Sequence, residues 1–189
     1  MKFKIITIAL IFSSTYVTFA QDKQLDYVVK RGNDTTLAID VSYLRKIYYV
    51  KAINYYDTSG RYIRIEGIDK CKRIKSFRSN GHIFDLVPKK PKKPDGDKIY
   101  MWRRVDGKVK VYEYYKDTRR GDLGSIFYFH TVKLGNNKYY KINQKNIDAY
   151  IKPYLLKCKK FKAAFKGEFT FLSNDFDEMI KLYNVLCDE

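Results

Sequence analysis

The chain has 189 residues, 38 lysines and arginines against 21 aspartates and glutamates, and a formal net charge of +17. Its length suits one domain with an adequate core. The basic surplus raises affinity for anions. It is mostly lysine spread along a Tyr-, Ile- and Asn-rich chain, and without Arg-dense clusters and stacking aromatics it argues against nucleic acid as partner.

The chain opens MKFKIITIALIFSSTYVTFAQ. Lys2 and Lys4 precede an apolar run, and small residues lead to Ala20, the pattern of a secretory signal peptide over 1–20. The uncharged span Ile5–Ala20 is short for a membrane helix, which needs roughly 20 residues. No later segment is long and apolar enough to cross. The expectation is an exported protein in which 21–189 forms a single β-rich domain, without a transmembrane segment once the signal is removed.

From there to about residue 137, turn signals punctuate Tyr-, Val- and Ile-rich runs: Arg31–Asp34, Asp57–Gly60, Ser79–Gly81, Asp106-Gly107 and Gly135–Asn137. Strands are predicted near 25–30, 36–41, 47–56, 61–66, 72–78, 82–87, 98–105, 108–116, 125–133 and 138–142. Asp57–Gly60 and Asp106-Gly107 are the clearest hairpin turns, the second having the Asp-Gly pair of a two-residue type I′ turn. The run PKKPKKPDGD at 88–97 interrupts the pattern. Its prolines cannot donate to a sheet ladder and its lysines repel one another, so it reads as an exposed loop. An electrostatic tether to an anionic surface is the functional alternative.

Beyond Asn143 the period becomes helical, giving a tail over 143–189. Ile147, Tyr150, Ile151, Tyr154 and Leu155 form one stripe, in which Pro153 should kink or shorten the helix. KCKKFKAAFKGEF is ambiguous. A second helix starts at Ser173 or Asn174, with Asp175, Asp177 and Glu178 in its first turn and Phe176, Ile180, Tyr183 and Leu186 as its buried stripe. The fold class is therefore α+β: an antiparallel β-meander, rolled or two-layered, with two C-terminal amphipathic helices packed on it.

Three cysteines, Cys71, Cys158 and Cys187, leave one over after any disulfide. Cys158 follows one predicted helix and Cys187 ends the next. Their bridge would close a loop of about 30 residues and contribute roughly 3–4 kcal/mol on the chain-entropy model. Pairing with Cys71 stays open on the same oxidising grounds. No cysteine or histidine spacing fits a metal site, and no cofactor fingerprint, nucleophile elbow or phosphate loop is present.

Glu113 is the one carboxylate set among strand aromatics. A two-residue turn at Asp106-Gly107 would pair it with Tyr100, with Trp102 and Lys98 as diagonal neighbours. The hairpin itself supplies neither a second carboxylate nor a histidine, so Glu113 reads as a strand end. Tyr100, Trp102, Glu113 and Tyr115 then form a candidate binding face. The 18 tyrosines suit half-buried sheet surfaces. On an uncovered face, tyrosines and lysines together would suit an envelope protein, a glycan or an anionic surface as partner. His82 reads as exposed and His130 as a satisfied strand residue. The alternative is an envelope hydrolase acting on glycan or peptide, with paired carboxylates such as Glu66, Asp85 or Glu113 brought together by the fold.

The segments "DYVVKRGNDT", "IDKCKRIKSFRSNGHIFDLV", "VDGKVKVYEYY" and "FDEMIKLYNVLC", following a signal peptide that ends Phe-Ala-Gln, come in a familiar order. The chain resembles a broad group of exported Bacteroidetes proteins of unknown function, with a β-rich body and a short helical region ending in Tyr-Asn…Cys. The resemblance implies a periplasmic or outer-membrane-associated place in a Gram-negative envelope, and no catalytic residue.

Overall fold

A computed structural model describes residues 25–46, 49–91, 93, 95–117, 126–135, 138–170 and 173–187. The predicted signal peptide, 1–20, lies outside the described residues.

Among the described residues, ten strands form one antiparallel sheet: β1 (Asp26–Lys30), β2 (Thr35–Lys46), β3 (Tyr49–Asp57), β4 (Tyr62–Glu66), β5 (Ile74–Ser79), β6 (His82–Pro88), β7 (Lys98–Val105), β8 (Lys110–Asp117), β9 (Ile126–Leu134) and β10 (Lys138–Lys141). Their order is β10-β9-β8-β7-β6-β5-β1-β2-β3-β4. This is two meanders joined at a seam where β1 pairs with β5, Val28 opposite Phe77. Two of the hairpin turns are dictated locally. At Asn80-Gly81 both residues have positive φ, 50° and 77°, as a type I′ turn requires. At Asp57–Gly60 the Asp57 carboxylate accepts from the Ser59 and Arg61 backbone N–H groups at 3.0 Å.

The sheet is rolled. The Tyr43 ring of β2 lies 5.0 Å from Phe84 of β6, and the Arg45 guanidinium lies 4.4 Å from the Tyr114 ring of β8. Strands five places apart would be about 24 Å apart in a flat sheet. Rolling turns β2 and β3 back over the middle strands, enclosing Val28, Val41, Ile53, Phe77 and Tyr100.

The helices close the other end. They are α1 (Ile68–Cys71), α2 (Gln144–Asn146), α3 (Lys152–Leu155), α4 (Lys159–Ala164) and α5 (Ser173–Cys187), with a π-helical turn, Ile147–Ile151, between α2 and α3. Pro153 has no N–H to give, and its ring would strike the carbonyl of the preceding turn. The widened π turn just before it accommodates both. Phe176, Met179, Ile180 and Tyr183 of α5 join Ile147, Ile151, Leu155 and Phe161 against Val105, Val111 and Val132 of the sheet. Met179 completes the stripe, and Leu186 is only partly buried against it. The two expected C-terminal helical segments are the run 144–155 and α5; α1, between β4 and β5, and α4, in the ambiguous basic stretch, are additional. Cys158 and Cys187 form a disulfide with Cα atoms 6.3 Å apart, leaving Cys71 as a buried thiol.

The expected two-residue turn at Asp106-Gly107 is also corrected. β8 starts only at Lys110, and Arg104 is the extra residue of a β-bulge, with Arg103 opposite Tyr112 and Val105 opposite Val111. Trp102, not Tyr100, therefore stands opposite Glu113. The bulge also lets the consecutive Arg104 and Val105 both face the helices.

Candidate functional site

Partners in an antiparallel ladder share a face. Val28, Phe77, Phe84, Trp102, Glu113 and His130 thus form one row across six strands. Its apolar end lies under the rolled β2, and its polar end faces α5. Between them opens a cavity of about 240 Å³ walled by Tyr43, Arg45, His82, Phe84, Tyr100, Trp102, Glu113 and Tyr114. Three of the four predicted face residues, Tyr100, Trp102 and Glu113, line it. The side chain of Tyr115 lies outside the described residues.

Tyr100 forms the floor. Its hydroxyl lies 2.7 Å from the carbonyls of both Cys71 and Ile74, and burial pushes its phenol far above the usual range. The Trp102 ring meets His82 edge-on at 4.9 Å.

Glu113 is not a free strand end. Its Oε2 accepts from Arg104 Nη1 at 2.9 Å, and Arg104 Nη2 reaches Asp177 Oδ2 of α5 at 2.7 Å. His130 Nδ1 lies 3.6 Å from the same Glu113 oxygen. The four side chains are only 11–15% exposed, so the charges interact with little screening by water. Burial lowers the His130 pKa, with Arg104 adding to the effect and Glu113 opposing it. Burial raises that of Asp177, against the pull of Arg104 and Lys181. The neighbouring strand and α5 thus bring Glu113 the histidine and second carboxylate that the hairpin lacked. The Arg104 guanidinium stands between the carboxylates and ties α5 to the sheet. No local signal marks Arg104 or Asp177, because the bulge and a helix far along the chain bring them together.

The three carboxylates of the hydrolase alternative do not converge. Glu66 is exposed on β4, paired with Arg64 at 3.1 Å. Asp85 shares its row with Met101, on the face opposite Glu113. There it accepts from Arg103 Nε and Nη2 at 2.8 and 2.6 Å and from the Tyr112 hydroxyl at 3.0 Å. Among the described residues, no group of three or more His, Cys, Asp or Glu could hold a metal.

A larger groove, about 900 Å³, runs between the 88–97 loop and the edge strand β10. Lys89, Lys90 and Lys93 line one wall; Lys138, Lys141 and Lys145 line the other. Tyr139, Tyr140 and Tyr150 lie among them, Tyr140 and Tyr150 stacked at 4.8 Å and 23°. No carboxylate is among the described residues that line it. The loop is braced across its base: Lys89 N–H donates to Asp97 O at 2.8 Å, and Asp97 Oδ2 accepts from the Tyr49 hydroxyl at 3.0 Å. The sequence signal for the second wall is the Lys-Tyr-Tyr-Lys of β10. Lysines also guard an edge strand against unwanted pairing, but that role needs no second cationic wall.

Comparison of the chain with protein-family models, with curated proteins and with solved structures finds no match.

Proposed function

We propose that this is an exported cell-envelope protein that acts as a non-enzymatic binding module, holding an acidic polysaccharide in the Lys/Tyr groove. The observation that carries the reading is the groove itself: six lysines on two walls, three tyrosines, and no carboxylate among the described lining residues. Cations concentrated in a concave site attract a polyanion from a distance and hold it in a salt-dependent way. The tyrosine rings offer flat apolar surface to sugar rings. The N-terminal pattern of basic residues, apolar run and small residues supports export, and among the described residues no helix is long and apolar enough to cross a membrane. The hydrolase alternative has one carboxylate pair, Glu113 and Asp177, but it has less support because Arg104 bridges both, Nη1 to Glu113 and Nη2 to Asp177, while Glu66 and Asp85 stand apart.

Retention on an immobilised sulfated or uronic polysaccharide tests the groove. The protein should elute at higher salt than the K138Q/K141Q/K145Q variant. Equal elution, or retention only on anionic lipid vesicles, removes the glycan reading. Intact mass of protein recovered from its native host should correspond to a chain beginning at Gln21; a chain retaining Met1–Ala20 would point to an anchor instead.

A further inference from the structure

The face of the sheet that carries Asp85 holds a separate cavity of about 440 Å³, and its wall is cationic: Lys75, Arg103, Lys110 and Lys133 all line it. Lys110 and Lys133 stand directly opposite each other on β8 and β9, an arrangement that is unfavourable between strands unless something negative lies nearby. Lys75 is the extra residue of a bulge in β5, since Val29 pairs with Ser76 and Lys30 with Ile74.

The local carboxylates are already committed. Asp85 takes Arg103 and the Tyr112 hydroxyl. Asp106 takes Arg103 Nη1 at 2.7 Å and Lys110 Nζ at 2.8 Å. Lys75 Nζ donates to the neutral amide oxygen of Asn33 at 2.8 Å. Lys133 makes no ion pair among the described residues; its amine lies 5.9 Å from the Tyr139 ring centre. Four cations against two carboxylates leave a surplus of two positive charges. One neutral group also lacks a partner: Ser76 Oγ, on a residue only 6% exposed, faces the Tyr27 phenol without a hydrogen bond of normal geometry.

We propose that this cavity binds a doubly charged oxyanion, the phosphate monoester group of a larger ligand, with Lys133, Lys110 and Lys75 as its cations and Ser76 Oγ as a hydrogen-bond donor. The charge surplus matches a dianion. The cavity is larger than one oxyanion and leaves room for the ester's remainder. The lowered pKa of Lys133, caused first by burial and then by Lys110, agrees with a site built to be completed by negative charge. The inference does not rest on the Lys/Tyr groove, although the Tyr139 ring lines both.

The test is calorimetric titration of the whole protein with inorganic phosphate and with sulfate, against chloride at matched ionic strength. Saturable binding at least tenfold tighter than chloride is expected. K133Q should weaken it at least fivefold and S76A measurably, while K133R, which keeps the charge, should retain most of it with an unchanged near-ultraviolet circular dichroism spectrum. The K138Q/K141Q/K145Q variant should bind phosphate within twofold of wild type even if polysaccharide retention is lost. Glucose 6-phosphate, a dianionic ester, identifies the source: tighter binding than that of inorganic phosphate supports a larger ligand. Phosphate binding no better than chloride, an unaffected K133Q, loss of binding in the groove variant, or weaker binding of glucose 6-phosphate than of inorganic phosphate would overturn the proposal.

Discussion

The amide of Asn184 reaches from α5 to the β7–β8 turn, accepting from the Val109 N–H at 2.9 Å and donating to the carbonyls of Asp106 and Val109 at 2.8 Å each. This clamp holds the turn open in the register that puts Trp102 opposite Glu113: the Asp-Gly pair is a local signal for a tighter turn, but the residue that holds it open lies on the last helix. N184A should lose roughly 1–3 kcal/mol of stability, because the buried Val109 N–H is left unpaired. Gly107 has φ of 126°, and a Cβ there would come within 2.6 Å of Asn184 Nδ2. G107A should therefore cost more than about 1 kcal/mol. The double variant should be more stable than the sum of the two losses, since N184A removes the collision; a urea-denaturation cycle measures this, and strict additivity would count against the clamp. His130 gives a pH prediction. Its folded pKa lies below its ordinary value of 6.5, so the unfolded chain binds more protons between those two points. Its contribution is present above pH 6.5 and is lost as pH falls below that value. Thermal melts from pH 7.5 to 5 should fall less steeply for H130Q than for wild type, and parallel slopes would remove His130 as the cause.

Among the elements, strands were more legible than helices. The ten predicted strands match the ten observed, because alternation and turn chemistry act over a few neighbouring residues. The helices were read less well where sequence gives no stripe. α1 is four residues long, and α4 is a lysine-rich turn whose one buried residue is Phe161. Cys158 precedes α4 and Cys187 ends α5, so the disulfide staples the two helices across a sequence separation of 29. A C158S/C187S variant should lose about 3–4 kcal/mol on the chain-entropy model, measured by urea denaturation beside the wild type. The loss should match that of wild type kept under reductant. Cys71, 1% exposed and with its thiol pKa raised by burial, should react with a thiol reagent only as fast as the chain unfolds. Rapid labelling of native protein would show that its strand cover opens.

At the scale of the whole molecule, the rolled sheet was foreseen as one of two options, but what the rolling brings together was not. The aromatic cavity, the Lys/Tyr groove and the oxyanion cavity each draw on segments far apart in sequence, and the one pattern within a strand, the Lys-Tyr-Tyr-Lys of β10, marks a single wall of the groove. The two meanders have different standing during synthesis. A chain made from its N-terminus can pair β1 to β4 as soon as Glu66 has emerged, since each of those contacts is to the next strand. The outer side of β1 then stays an open ladder of N–H and C=O groups until Ile74–Ser79 is made. Among the described residues the seam is the one non-local strand pairing, and closing it pays the largest loop entropy, so it sets the slow step of folding. It is also where two half-made chains can exchange strands, with the β5 of one completing the β1 of another.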